Sequence, residues 1–365
     1  MPRTSQLPLQ SDSRQLIIKI ADQLLDLEAN ASELRAAAHQ LYSLFSDVTG
    51  VGDSSQAPED TRDTLLACGK ALSPNDAARS ILDYYRTAQF LRGTYAAIKE
   101  AQKRFTDRPI EILYAGCGPF APFAIALATQ FSPDEIQFTL LDINARSLNA
   151  AKQIVDHLNL GGFIRAYVQD DAACYQHPIG RGPHIVITET MQQALAKEPQ
   201  VAIDLNLRRQ LVPGGIFIPD CVAIDVCLSE LSKEIRFIQA KTDIGKSELS
   251  DLRAGKNRIV LGRIFELRED HRRALLTGTA INAMTRNTLF DPVTIEIPPI
   301  EDHTYRLMLL TTITIFDTIV LTENTSGLTL PMVLHDLGTV AGGSRIEFSY
   351  TLGHQPGFRY RLLPN

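Results

Sequence analysis

The chain has 365 residues, beyond the roughly 250–300 at which one hydrophobic core stops growing, so two domains or a heavily extended domain is expected. Hydrophobic residues make up 44% and charged residues 21%, ordinary globular usage that excludes wholesale disorder. The net charge of -6 lacks the basic excess that a nucleic-acid backbone calls for, so no nucleic-acid partner is expected and a cationic or neutral substrate is favoured.

The five cysteines, at 68, 117, 174, 221 and 227, form no CxxC pair, which predicts reduced, buried thiols rather than a disulfide framework or a metal site. No run of about 18 apolar residues occurs, and the start, Met-Pro-Arg-Thr-Ser-Gln, is not of signal-peptide type. A cytoplasmic protein without a membrane partner is expected.

From about Ser11 to Phe105 apolar residues recur at three- and four-residue spacing, as in Leu16, Ile20, Leu24 and Leu25, then Ile81, Tyr85, Phe90 and Ala97. That spacing predicts several helices, interrupted by a Ser/Asp/Gly/Pro-rich loop from Asp47 to Pro58. From Pro109 short apolar runs alternate with helical patterns: Ile110 to Ala115, Phe138 to Leu141, Ile164 to Val168, His184 to Thr188 and Gly215 to Ile218. Such alternation predicts βαβ units and a doubly wound α/β sheet. After Pro219 comes a charged, helical-looking stretch from Leu228 to Leu252. Strand-like runs follow at Arg258 to Phe265, Val293 to Ile297, Tyr305 to Phe316, Arg345 to Tyr350 and Phe358 to Leu362, which predict a mostly antiparallel β-domain.

Three loops of the α/β segment carry chemistry. Ile112-Leu-Tyr-Ala-Gly116-Cys117-Gly118-Pro119 ends a strand in a Gly-x-Gly turn ahead of the helical run Phe123 to Phe131. Glycines let backbone approach a ligand, and the next helix offers unpaired N–H groups to an anionic end; a generic tight turn is the plain alternative. Asp142, followed by Ile143, closes the second strand, where a carboxylate can accept both hydroxyls of a ribose. Asp170, Asp171 and Ala172 follow the third strand and could meet an adenine amino group, or be a solvated loop.

These loops, with Leu211-Val-Pro-Gly-Gly215 before the fifth strand, resemble the seven-strand S-adenosylmethionine-dependent methyltransferases over roughly 109 to 220. The resemblance implies a Rossmann-like sheet and S-adenosyl-L-methionine as cofactor, with Gly116, Cys117, Gly118, Asp142, Ile143, Asp170, Asp171 and Ala172 around it. The acidic residue that such enzymes often carry two places before the first glycine is Tyr114 here.

The fourth strand ends in Ile187-Thr-Glu189-Thr-Met191, and Glu198 follows nine residues after Glu189. Carboxyl ends of strands border the ligand crevice of an open α/β sheet, which places Glu189 beside the reacting group. Glu198, before Pro199, could instead serve a helix dipole. The pair is similar to the double-glutamate loop of the protein arginine methyltransferases, in which two glutamates at that interval grip a guanidinium. Tyr85-Arg86-Thr87 is similar to the family's pre-domain helix, whose arginine holds the cofactor's carboxylate; a surface helix residue is the alternative reading of Arg86. Ser326-Gly-Leu-Thr-Leu-Pro331 is similar to the turn before the family's Thr-His-Trp loop, which is absent here, as is any tryptophan. Met191-Gln-Gln replaces an aromatic-rich step. His184, His303 and His335 receive no role.

The organisation expected is a helical region over 1–108 as lid and cofactor-covering helix, the S-adenosylmethionine domain over 109–220, and a barrel-like antiparallel β-domain over 221–365 for substrate and dimerisation. The activity expected is methyl transfer to a guanidino nitrogen, with Glu189 and Glu198 catalytic and Glu189 also against the cofactor. The altered loop favours free arginine or a small guanidine over a peptide. Transfer to a non-guanidino acceptor with Glu189 as general base is the alternative, and a silent cofactor-binding partner the third reading. The family's habit implies a homodimer, with 230–253 as candidate arm.

Overall fold

The structure is a computed structural model that describes residues 10–105, 109–178, 182–235, 258–268, 290–300 and 304–364. The chain divides into two units, the first comprising Met1–Thr190, Glu198–Asp220 and Thr314–Leu321, the second Met191–Lys197, Cys221–Ile313 and Thr322–Asn365.

The first unit begins with α1 (Gln10–Leu25) and α2 (Ala31–Thr49). Asn30 starts α2 by accepting from Ser32 N and Glu33 N, while Glu33 returns a carboxylate to Asn30 N, a capping box worth about 1 kcal/mol. Gly50, at φ 68°, ends the helix in the left-handed region. Leu34, Ala37, Ala38, Leu41, Leu44 and Phe45 form the buried face of α2, at the spacing the sequence shows. After the expected loop, a short helix α3 (Pro58–Thr61) and a hairpin of β1 (Thr64–Leu66) with β2 (Gly69–Ala71) interrupt a stretch expected to be helical. Strands of three residues are too short to show an alternation. Helices α4 (Pro74–Arg79) and α5 (Tyr84–Arg104) complete the region.

The strands that follow are β3 (Ile110–Ala115), β4 (Ile136–Asp142), β5 (Ile164–Gln169), β6 (Ile185–Thr188) and β7 (Ile216–Ile218). They pair in parallel in the order β5-β4-β3-β6-β7. Helices α6 (Pro122–Leu127), α7 (Ala145–His157) and α8 (Gln200–Leu207) make the connections. The order reverses between β3 and β6, and right-handed crossovers then put α6 and α7 on one face and α8 on the other. This is the doubly wound sheet expected, and its switch point lies where Gly116 and Glu189 leave adjacent strands. Helix α6 is shorter than the run Phe123 to Phe131: beyond Leu127 the Thr129 hydroxyl takes the Ala126 carbonyl at 2.7 Å and competes with helix continuation.

The second unit is antiparallel, as expected. Strand β8 (Cys221–Glu230) pairs with β9 (Ile259–Leu267), and β11 (Tyr305–Phe316) lies on the other side of β8 and carries β13 (Met332–Val333); the last residues of β11 and all of β12 (Ile319–Leu321) belong to the first unit. A second sheet has the order β10 (Val293–Glu296), β14 (Arg345–Thr351), β15 (Gly357–Leu363). Phe265 of β9 stacks on Tyr350 of β14 with ring centroids 5.1 Å apart and meets Phe358 edge-on, which joins the two sheets through an aromatic core. The helical stretch expected from Leu228 is corrected here: Leu228 to Glu230 are the end of β8, with Leu228 and Ser229 buried on its two faces, and helix begins only at Leu231. The candidate arm 230–253 and His303 lie largely or wholly outside the described residues. Among the described residues no helix is long and apolar enough to cross a membrane.

Candidate functional site

Hydrogen bonds knit the three loops read from the sequence into one edge of the sheet. Gly116 N and Cys117 N both donate to Leu141 O, at 2.8 and 3.2 Å, so the glycine turn is an extension of the β3–β4 pairing. Gly116 and Gly118 have φ of +68° and +64°, in the left-handed region that favours glycine. Gly118 N donates to Asp142 Oδ2 at 2.9 Å and Asn144 N to Asp142 Oδ1 at 2.8 Å. Asp142 O in turn accepts from Asp170 N at 3.2 Å, which ties in the third loop. Burial pushes the Asp142 carboxyl up to about 6, although both backbone donors oppose the shift.

The third loop is held by its own aspartates. Asp170 is exposed and its Oδ1 accepts from Asp171 N at 2.8 Å, while the half-buried Asp171 takes Ala173 N on Oδ1 at 2.9 Å. Ala172 is buried, and its carbonyl accepts from Asn206 of α8 at 2.9 Å. Ile143 is half-buried, with its carbonyl 3.4 Å from Gln169 Nε2. Cys117 is buried, and burial holds its thiol well above the ordinary range.

The N-terminal elements close over this edge. A Cβ at Gly118 would lie 3.7 Å from Ala77 Cβ on α4. Arg146, in the first turn of α7, pairs with the buried Asp60 at 2.9 Å and reaches Thr49 O at 3.0 Å, which fastens α3 and the end of α2 beside Asp142. The Cys68 thiol, at the turn of the β1–β2 hairpin, is raised by burial and by the charges of Asp171 and Cys174.

At the start of α5, Asp83 caps the helix and receives Arg86 N at 3.4 Å, which sets Arg86 in the first helical turn. Its guanidinium donates to Ser80 O at 2.9 Å and lies 3.3 Å from Glu189 Oε1. Glu189 follows β6 directly, and the pair is nearly buried, at 11% and 13% side-chain exposure. Burial raises the Glu189 carboxyl to about 7; Arg86 pulls it down and Asp83 pushes it up. Tyr114, in place of an acid, is buried with its ring 5.4 Å from Phe123, which stacks on Phe90 of α5 at 5.6 Å. Its phenol is held well above 10 by burial, then by the charges of Cys117 and Glu189.

Glu198 is buried one residue before Pro199, the N-cap of α8. Two residues further on, Gln200 accepts on Oε1 from Thr190 N at 3.0 Å, Thr190 Oγ1 at 2.9 Å and Thr188 Oγ1 at 3.4 Å. These bonds tie the residue after Glu189 to the helix that follows Glu198, so the two glutamate positions are joined at their stems. Helix α8 is anchored by Asp204 and Arg208, paired at 2.8 Å and both nearly fully buried, with the guanidinium 4.2 Å above the Phe217 ring.

In the second unit the segment between the glutamates, Met191–Lys197, has left-handed backbone at Ala194, Leu195 and Lys197. It is pinned there by Ala194 N to Thr311 Oγ1 at 3.0 Å, Tyr350 Oη to Leu195 O at 2.8 Å and Lys197 N to Pro356 O at 2.9 Å.

The structure thus brings Gly116, Gly118, Asp142 and Asp170 into one bonded group and Arg86 with Glu189 into another. Sequence reasoning missed Asp83, Thr190 and Gln200. Asp83 had a signal, an N-cap residue ahead of a helical run; Thr190 and Gln200 had none, because their bonds form only when β6 and α8 meet.

No family model matches the chain, and no curated protein matches it in sequence. Among solved structures the chain is similar to a chain of the Trypanosoma brucei PRMT1 enzyme-prozyme heterotetrameric complex with AdoHcy, at 16% identity and a TM-score of 0.48, over 78% of this chain and 91% of that one.

Proposed function

We propose that the protein is an S-adenosylmethionine-dependent N-methyltransferase acting on a guanidino nitrogen, with free arginine or a small guanidine favoured over a protein-bound one. The observation that carries this reading is the buried Glu189 at the end of β6, beside Arg86 and one residue from Thr190, whose methyl abuts Gly116 of the glycine turn. An anion that can hold a cation therefore adjoins the turn that receives the cofactor.

The donor and acceptor set fits that cofactor. Gly116 and Gly118 admit close approach, the Asp142 oxygens each spend one lone pair on backbone and keep another for a ribose hydroxyl, and Arg86 offers a guanidinium to a carboxylate. Asp171 and Ala172 border the place for an adenine, and Cys117, Ile143 and Asp170 complete that edge. When bound, S-adenosylmethionine supplies an electrophilic methyl carried on a sulfonium.

The chain's own part is positioning and charge. A guanidinium stays protonated at neutral pH, so Glu189 must be ionised to grip it and Glu198 supplies a second carboxylate. Each charge-assisted bond contributes roughly 1.5–3 kcal/mol, and two carboxylates would polarise the cation so that one nitrogen keeps its lone pair for attack. Mass spectrometry of free arginine and of a Gly/Arg-rich peptide after incubation with S-adenosylmethionine tests the reading. A methyl-sized gain on arginine supports it, a gain on the peptide alone moves the substrate to proteins, and no gain on either overturns the guanidino acceptor.

One observation favours a second reading. A Glu189 carboxyl near 7 is poised for general-base work on an amine or hydroxyl acceptor. A rate that follows deprotonation of Glu189 on a non-guanidino substrate, with guanidines inert, would establish it. A homodimer belongs to the main reading and is checked by light scattering.

A further inference from the structure

The proposed function uses the two glutamates and the cofactor loops but leaves unexplained a polar residue at the heart of the site. Gln200 is fully buried in the first turn of α8. Its amide orientation is fixed, because Thr190 N–H can only donate and therefore faces Oε1. Both threonine hydroxyls converge on the same oxygen. Its Nε2 is left buried without a hydrogen-bond partner among the described residues, which calls for an explanation. Thr190, held in this way by backbone and side chain, presents its Cγ2 to Gly116 so closely that no Cβ fits at that glycine.

We propose, resting on the methyltransferase reading above, that Gln200 is a positioning residue that clamps Thr190 between the acceptor glutamate and the glycine turn. The clamp fixes the separation of the transferable methyl and the acceptor nitrogen. Three contacts act in series: α8 holds Gln200, Gln200 holds Thr190, and Thr190 sets the peptide of Glu189 on one side and the Cα of Gly116 on the other. Transfer between two bound groups depends steeply on such spacing.

The test uses the full chain and four variants: Gln200→Met, Gln200→Glu, Thr190→Val and the double Gln200→Met/Thr190→Val. Valine keeps the methyl against Gly116 and drops only the hydroxyl; glutamate keeps an accepting oxygen. Amide exchange at Thr190 should rise at least about tenfold in Gln200→Met, since its acceptor is gone. With S-adenosylhomocysteine affinity within about twofold of wild type, kcat should fall about tenfold or more while KM for the guanidine changes less. Gln200→Glu should restore the slow exchange at Thr190, because its carboxyl oxygen still accepts, and the double variant should be no worse in kcat than Gln200→Met, because both substitutions cut one chain of contacts.

Unchanged Thr190 exchange in Gln200→Met overturns the clamp. Raised exchange with unchanged kcat, or strictly additive losses in the double variant, overturns its positioning role. Should Gln200→Met fail to fold, Thr190→Val carries the same comparison, and an unchanged kcat there sinks the proposal. A wild type that neither binds S-adenosylhomocysteine nor methylates a guanidine refutes the proposed function, and with it the catalytic consequence of the clamp, while exchange still reports whether the clamp exists.

Discussion

Replacing Glu189 with glutamine should change how stability depends on pH, by an amount and with a sign that the structure fixes. The carboxyl titrates near 7 in the fold against an ordinary value of 4.5, because burial outweighs the attraction of Arg86. Below about pH 4.5 the group is protonated whether the chain is folded or not, and the native state carries no penalty. Between about 4.5 and 7 the unfolded chain releases the proton more readily, so native stability falls as pH rises and levels off above 7. The span corresponds to about 3 kcal/mol. Glutamine imitates the protonated acid, keeps an acceptor toward Arg86 and does not titrate. Glu189→Gln should therefore be close to wild type in stability at pH 4.5 and more stable than wild type by up to about 3 kcal/mol at pH 8. Calorimetric unfolding at several pH values, with the variant subtracted from wild type so that other titrating groups cancel, measures this. Parallel curves would refute the assignment of the shift to Glu189. A wild type that gains on the variant as pH rises would show that Arg86 dominates and that the carboxyl is depressed rather than raised.

Other expectations follow from the same contacts. Asp142→Asn leaves one acceptor for two backbone donors and turns an amide N–H toward Gly118 N or Asn144 N, a loss of about 1–3 kcal/mol together with at least tenfold weaker cofactor binding by calorimetry. In the wild type, with Asp142 near 6, cofactor affinity should rise as pH passes that value if the ionised acid receives the ribose. Gly116→Ala puts a Cβ into Thr190 at a left-handed φ, so both thermal stability and cofactor affinity should fall, the strain alone contributing about 1–3 kcal/mol. Asp204→Ala strands the buried Arg208 and should destabilise by about 3–5 kcal/mol in thermal unfolding. Adding Arg208→Met, whose side chain can remain on Phe217, should restore most of that loss.

The parallel sheet was legible because each of its strands is an apolar run bounded by turn residues, and the runs correspond to β3 through β7 within a residue or two at most ends. The glycine turn and Asp142 were legible for the same local reason: each sits where a strand stops. Two kinds of feature were not. The β1–β2 hairpin has strands of three residues, and β8 is buried on both sides while its end carries Glu230 and then Lys233 and Glu234 at helical spacing. Periodicity fails in the first through shortness and in the second through burial on both faces. The polar contacts that assemble the site were also hidden. Arg86 with Glu189, Arg146 with Asp60 and Thr190 with Gln200 join residues whose proximity exists only after the sheet and its helices have packed.

The tyrosine at position 114 belongs with this assembly rather than apart from it. An acid there, as the resemblance to methyltransferases would have it, would stand close to Asp142 near 6 and Glu189 near 7, groups already raised by burial and balanced on one side by Arg86. Charges of one sign at such distances push each other's titration upward, so a third carboxylate would favour the protonated forms of both neighbours at neutral pH. A protonated Glu189 holds no guanidinium, and a protonated Asp142 gives up part of its capacity to accept. Tyr114 adds no charge, since its phenol stays neutral well past pH 10. Its ring instead continues the Phe123 and Phe90 stack up to the edge of the site, and that stack packs the same α5 whose first turn delivers Arg86. The tyrosine at 114 and the ionisable glutamate at 189 are in this way two parts of one electrostatic balance, with apolar packing where a further charge would have silenced its neighbours.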